Sequence, residues 1–152
     1  MNKIRNYTLL FLLFFLTNCG YETILNNQNY QFSINANKIN GDNKINTLII
    51  NNFMNLKENE KKYDLTLTSK KEKKIISKDS KGDPSIFELK IIVNYIVKKD
   101  EETLISNKIN KRTTYNNIAD KFELKNYEMT IINNLTSEIS ENIMFSISRI
   151  NE

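Results

Sequence analysis

The chain has 152 residues, 22 Lys and Arg against 18 Asp and Glu, one Cys and no His. That length suits one domain with its own hydrophobic core. The missing histidine removes every Ser-His, Cys-His and His-metal arrangement, and a lone cysteine cannot form an internal disulfide.

The first elements in the chain are an export signal. Lys3 and Arg5 precede the apolar run from Leu9 to Leu16, which is about half the length of a membrane-spanning helix and has the charged and hydrophobic regions of a signal peptide. Leu16-Thr17-Asn18-Cys19 then resembles the lipobox of bacterial lipoproteins, although Asn18 stands where that motif usually has a small residue. Residues 1–18 are read as a lipoprotein signal peptide, Cys19 as the lipid attachment site, and residues 19–29 as a tether. Cleavage would remove Lys3 and Arg5 and lower the side-chain excess from +4 to +2.

Residues 30–152 are read as a single domain. Tyr30, Phe32, Ile34 and Ala36 alternate with polar residues, the period of a half-buried strand, and Gly41-Asp42-Asn43 is a turn. Ile45, Leu48, Ile49, Phe53 and Leu56 then follow helical spacing to about Lys57. Tyr63, Leu65 and Leu67 begin a second strand that Ile75 and Ile76 extend. Asp79-Ser80-Lys81-Gly82-Asp83-Pro84 turns it into a long strand with Phe87, Leu89, Ile91, Val93, Tyr95 and Val97 on one face. Asp100-Glu101-Glu102 leads into a fourth strand from Thr103 to about Tyr115. From about Ile118 the period becomes helical again, with Ile131, Leu135, Ile139, Ile143 and Ile147 every fourth residue and Ile132 and Ile150 widening the stripe. The fold class is α+β: a two-layer sandwich of order β-α-β-β-β-α, with a mostly antiparallel sheet and two helices on one face.

No constellation in this chain suggests an enzyme, a metal site or a cofactor. Glu101 with Glu102, and Glu138 with Glu141, lie in a turn and on a wet helix face. The glycines at 20, 41 and 82 are isolated and leave no phosphate-cradling loop. The outstanding feature is Lys70-Lys71-Glu72-Lys73-Lys74, with Lys78 and Lys81 beyond it. It fits an anionic partner, and for an exported chain a phosphorylated lipid fits better than nucleic acid, which is not a predicted partner. It fits equally an edge strand on which lysines oppose aggregation.

Taken together, several segments resemble the LPS-assembly lipoprotein family (LptE) in its divergent alphaproteobacterial form. They are Cys19-Gly20-Tyr21, the helix around Leu48 to Leu56, Tyr63-Asp-Leu-Thr-Leu67, the strand from Leu89 to Val97, and Thr114-Tyr115-Asn116 with Ala119 before the last helix. The resemblance implies a non-enzymatic lipoprotein, anchored on the periplasmic side of the outer membrane. Such a protein plugs and helps assemble the LPS-translocation β-barrel (LptD) and binds lipopolysaccharide. It also implies ligand-binding basic residues near Lys78, Lys81 and Lys121. The alternative is a scaffold lipoprotein that binds another envelope protein and never touches lipopolysaccharide.

Overall fold

A computed structural model describes residues 30–54, 56 and 60–151. The signal peptide, Cys19 and the tether lie outside the described residues. The elements are β1 (Ser33–Gly41), α1 (Asn43–Met54), β2 (Lys62–Lys78), β3 (Pro84–Lys99), β4 (Glu102–Asn116) and α2 (Lys121–Ser148), which ends in a 3-10 turn. Strand order follows the sequence, with β1 parallel to β2 and the other pairs antiparallel. The parallel pair follows from α1, which carries the chain back to the end of the sheet where β1 began.

The strand expected at Tyr30–Ala36 runs instead from Ser33 to Gly41. Alternation in the sequence breaks after Ala36 because Asn37 is an extra residue in a bulge. Lys38 then pairs with Thr66, and Ile39 returns to phase opposite Leu67. Asn35 and Asn37 both donate to Asp64 Oδ1, at 3.1 and 2.7 Å.

Helix α1 ends at Met54 rather than near Lys57, and Leu56 N–H bonds the Phe53 carbonyl. Helix α2 starts at Lys121, not at Ile118, because Asn117 is held to β3. Its backbone N–H donates to Ser85 O and its side chain to Pro84 O, both at 2.8 Å. The Asp120 carboxylate then caps the helix, accepting from Phe122 N and Glu123 N.

The core lies between the helices and one face of the sheet. Leu65 and Leu67 from β2, the alternate residues Leu89, Ile91, Val93, Tyr95 and Val97 from β3, Ile45 and Ile49 from α1, and Ile139, Ile143 and Ile147 from α2 are almost wholly buried. Ile150, expected on the same stripe, is 36% exposed because the helix tightens at Arg149. Four polar residues share this interior. Ser69 Oγ donates to Asn46 Oδ1 at 2.7 Å and Asn46 Nδ2 to Asn40 O, while Thr136 and Ser140 donate to carbonyls one turn back along α2.

Candidate lipid-facing surface at the hairpin end

The β2–β3 register splits the lysine run by face. Lys71 and Lys73 share the helix-facing parity of Leu67 and Ser69, whereas Lys70 and Lys74 point to the open face. The helix-facing lysines are neutralised. Lys71 pairs with Asp42, the residue before α1, at 3.6 Å; Lys73 pairs with Glu128 of α2; and Lys111 of β4 pairs with Glu138 of α2 at 3.0 Å.

Lys73 also meets two aromatic rings. Its ammonium sits 4.1 Å from the Phe87 ring centroid and 6.0 Å from that of Tyr115. Glu128 Oε1 closes the cluster, also accepting from the Tyr115 hydroxyl at 2.7 Å, and Tyr127 meets the Tyr115 ring edge-on. Burial, and then the bond to Glu128, push the Tyr115 phenol well above its ordinary pKa. Burial alone would raise the Glu128 carboxyl, but the bonds from Lys73 and Tyr115 outweigh it and hold the group below the usual carboxylate range. This cluster fastens the first turns of α2 to the β2–β3 hairpin and occupies Lys73. Sequence reasoning missed it: Tyr115 stood only as part of a motif before the last helix, and nothing in linear spacing joins it to Lys73.

Beyond the cluster lie the three lysines expected from sequence. Lys78 ends β2 opposite Pro84, Lys81 sits in the turn, and Lys121 opens α2 four residues after Asn117, which bonds Pro84 and Ser85. The three therefore come to the same end of the molecule. All are exposed, and none forms an ion pair among the described residues. The neighbouring carboxylates serve the backbone: Asp79 Oδ1 accepts from Lys81 N and Asp83 N, and Asp120 caps α2. Exposed Ile75, Ile76 and Phe122 lie at the same end, so cations and apolar side chains mix there.

Among the described residues no three potential metal ligands cluster, and no helix is long and apolar enough to cross a membrane. The arrangement is that of a two-layer α+β domain with one bare sheet face and a basic, partly apolar tip. No family model and no curated protein matches the chain. Solved structures share its fold over nearly their whole length. Uncharacterized lipoprotein B from Nitrosomonas europaea superposes with a TM-score of 0.58 at 13% identity, covering 87% of this chain and 92% of that one. Rare lipoprotein B from Shewanella oneidensis gives 0.57 at 16% identity, covering 77% and 96%. A minor lipoprotein from Acinetobacter baumannii gives 0.53 at 10% identity, covering 80% and 93%. The chain thus has the fold of these bacterial lipoproteins.

Proposed function

We propose that this protein is a non-enzymatic lipoprotein of the outer membrane, anchored through acylated Cys19. In this reading it seats in the LPS-translocation β-barrel (LptD), on the periplasmic side, and binds lipopolysaccharide at its hairpin end. The observation that carries the reading is the convergence of Lys78, Lys81 and Lys121 at one end of a fold shared with lipoproteins. Lysine ammonium groups suit phosphates presented at variable angles, because they need no fixed fork geometry. Ile75, Ile76 and Phe122 beside them suit the acyl portion of the same ligand.

The test is lipopolysaccharide binding by the Lys78→Glu, Lys81→Glu, Lys121→Glu triple variant, together with co-purification of a large β-barrel from detergent-solubilised outer membranes. All three positions are exposed, so the fold should persist by circular dichroism while binding falls at least tenfold. Unchanged binding, or a clean monomer with no barrel partner, would refute the proposal. One observation favours the scaffold alternative. Strand β1 stops opposite Ser69, so β2 from Lys70 onward is an edge, where lysines also serve to discourage self-pairing. Under that reading the protein binds another envelope protein, and there is no lipopolysaccharide binding for the triple variant to lose.

A further inference from the structure

The sheet contains a vacant strand position. Strand β1 pairs with β2 only from Ser33 opposite Lys62 to Gly41 opposite Ser69, where left-handed Gly41 sends the chain into α1. Strand β3 accompanies β2 much further, to Pro84 opposite Lys78. Along Lys70–Ser77, β2 therefore has a neighbour on one side only. Among the described residues, no backbone group on its other side meets another strand. Half the amide and carbonyl groups of that stretch face outward, in regular ladder geometry as far as the bulge at Ile76 and collinear with β1, and a segment of about eight residues fills the gap.

We infer that this edge accepts an extended acidic strand from a partner protein. The charge of the edge selects the occupant. On the open face Lys70 and Lys74 flank it with Glu72 between them; Glu72 pairs with Lys70 at 2.8 Å and its carboxyl is held low by Lys70 first and then by Lys74 and Lys90, while Lys71 and Lys73 are taken by Asp42 and Glu128. A second copy of this chain would bring the same lysines against them, so edge-to-edge self-pairing is disfavoured. If cleavage leaves residues 19–29 before Tyr30, that segment joins at the far end, beside Lys62, and its reach of about 40 Å is used up in running back to the level of Lys70. An acidic strand from another protein escapes both constraints. Its side chains on the bare face meet Lys70 and Lys74, and past them Ile75 and Ile76, 50% and 53% exposed, offer an apolar contact. The lysines that block like strands thus admit unlike ones.

The probes are an eight-residue peptide alternating glutamate with valine, its lysine–valine counterpart, and the glutamate–valine peptide N-methylated at every residue, which cannot donate ladder hydrogen bonds. The detergent-solubilised full chain is used, with Lys78, Lys81 and Lys121 unaltered, so failure here is distinct from failure of lipopolysaccharide binding. Expected results are binding of the glutamate–valine peptide alone, slowed amide exchange confined to Lys70–Ser77, and at least tenfold weaker binding by the Lys70→Glu, Lys74→Glu variant with unchanged circular dichroism. Equal binding of the N-methylated peptide, protection on β4 instead, or no binding would each overturn the inference.

Discussion

Two glycines with nearly the same backbone angle offer a test of how the fold is closed. Gly41 has φ +96° and Gly82 has φ +89°, so alanine at either meets the same left-handed penalty of about 1 kcal/mol. Their surroundings differ. A Cβ on Gly82 meets nothing within 4 Å, whereas one on Gly41 falls 1.9 Å from the Ser69 carbonyl oxygen. Relief of that clash requires β1 and β2 to part where Asp42 N–H bonds Ser69 O at 3.2 Å and where Asn46 and Ser69 bond in the interior. Loss of a backbone hydrogen bond costs about 1 kcal/mol, and stranding a buried polar group costs about 1–3 kcal/mol more. Gly41→Ala should therefore cost on the order of 3–5 kcal/mol and Gly82→Ala about 1 kcal/mol. At roughly 4 °C per kcal/mol for a domain of this size, the two melting temperatures should separate by about 10 °C. Thermal and urea unfolding followed by circular dichroism measures both. Costs within about 1 kcal/mol of each other would show that the close approach of Gly41 to Ser69 does not hold the β1–α1 corner.

Other substitutions probe the core, the cation cluster and a turn. The Tyr95 hydroxyl is buried with no hydrogen-bond partner among the described residues, so Tyr95→Phe should leave stability unchanged or raise it by about 1 kcal/mol in urea unfolding; a loss above about 1 kcal/mol would reveal an internal water as its partner. Because the Glu128 carboxyl is lowered in the folded state, its contribution is present above the unfolded pKa and disappears as pH falls through the folded value. Because the Tyr115 phenol is raised, its contribution is present below pH 10 and declines as pH rises further. Tyr115→Phe should flatten the alkaline limb of the unfolding free energy and cost about 1 kcal/mol at neutral pH, and an unaltered alkaline limb would contradict the assignment. Asp100 and Glu101 both have positive φ, 48° and 67°, in the two-residue turn between β3 and β4. Glycine is favoured at the second of these positions, so Glu101→Gly should raise the urea midpoint, equivalent to about 0.5–1 kcal/mol, and a lower midpoint would refute the turn assignment.

The layer order was legible because burial imposes its period on the sequence. The β3 residues from Phe87 to Val97 and the α2 residues from Ile131 to Ile147 are the buried face, at the spacing read from the chain. Where reading failed, a side chain satisfied a local backbone need rather than the core. Asn37 resets the phase of β1, Asn117 delays α2 by bonding β3, and Asn46 lies in an apolar interface because Ser69 and Asn40 satisfy its amide. The lysine run shows the same limit. Its density is plain in one dimension, but only the pairing register separates Lys71 and Lys73, neutralised by Asp42 and Glu128, from Lys70 and Lys74 on the open face. Lys78, Lys81 and Lys121 were placed by resemblance, and their shared end follows from two hydrogen bonds of Asn117 that no spacing rule anticipates.

The same register sets a length that bears on how such a domain would work. Strand β2 has 17 residues, and at 3.2–3.4 Å per residue it places the hairpin on the order of 50 Å from the end where Ser33 pairs with Lys62. The chain preceding Tyr30 joins at that near end, opposite to Lys78, Lys81 and Lys121. With Cys19 acylated, residues 19–29 reach at most about 40 Å when fully extended. A domain standing with its strands along the membrane normal then carries its basic end away from the anchoring leaflet, whereas a domain lying flat brings that end onto it. The proposed seating in a barrel corresponds to the upright posture. The pairing of Lys73 with Glu128 matters most in that posture, because past Ser69 the hairpin has lost β1 as a neighbour. A hairpin free to swing would spread its lysines over many positions and add ordering entropy to every binding event. By fastening the hairpin to α2 through Lys73, Phe87, Tyr115 and Glu128, the fold gives up one cation of the run to hold the others in place.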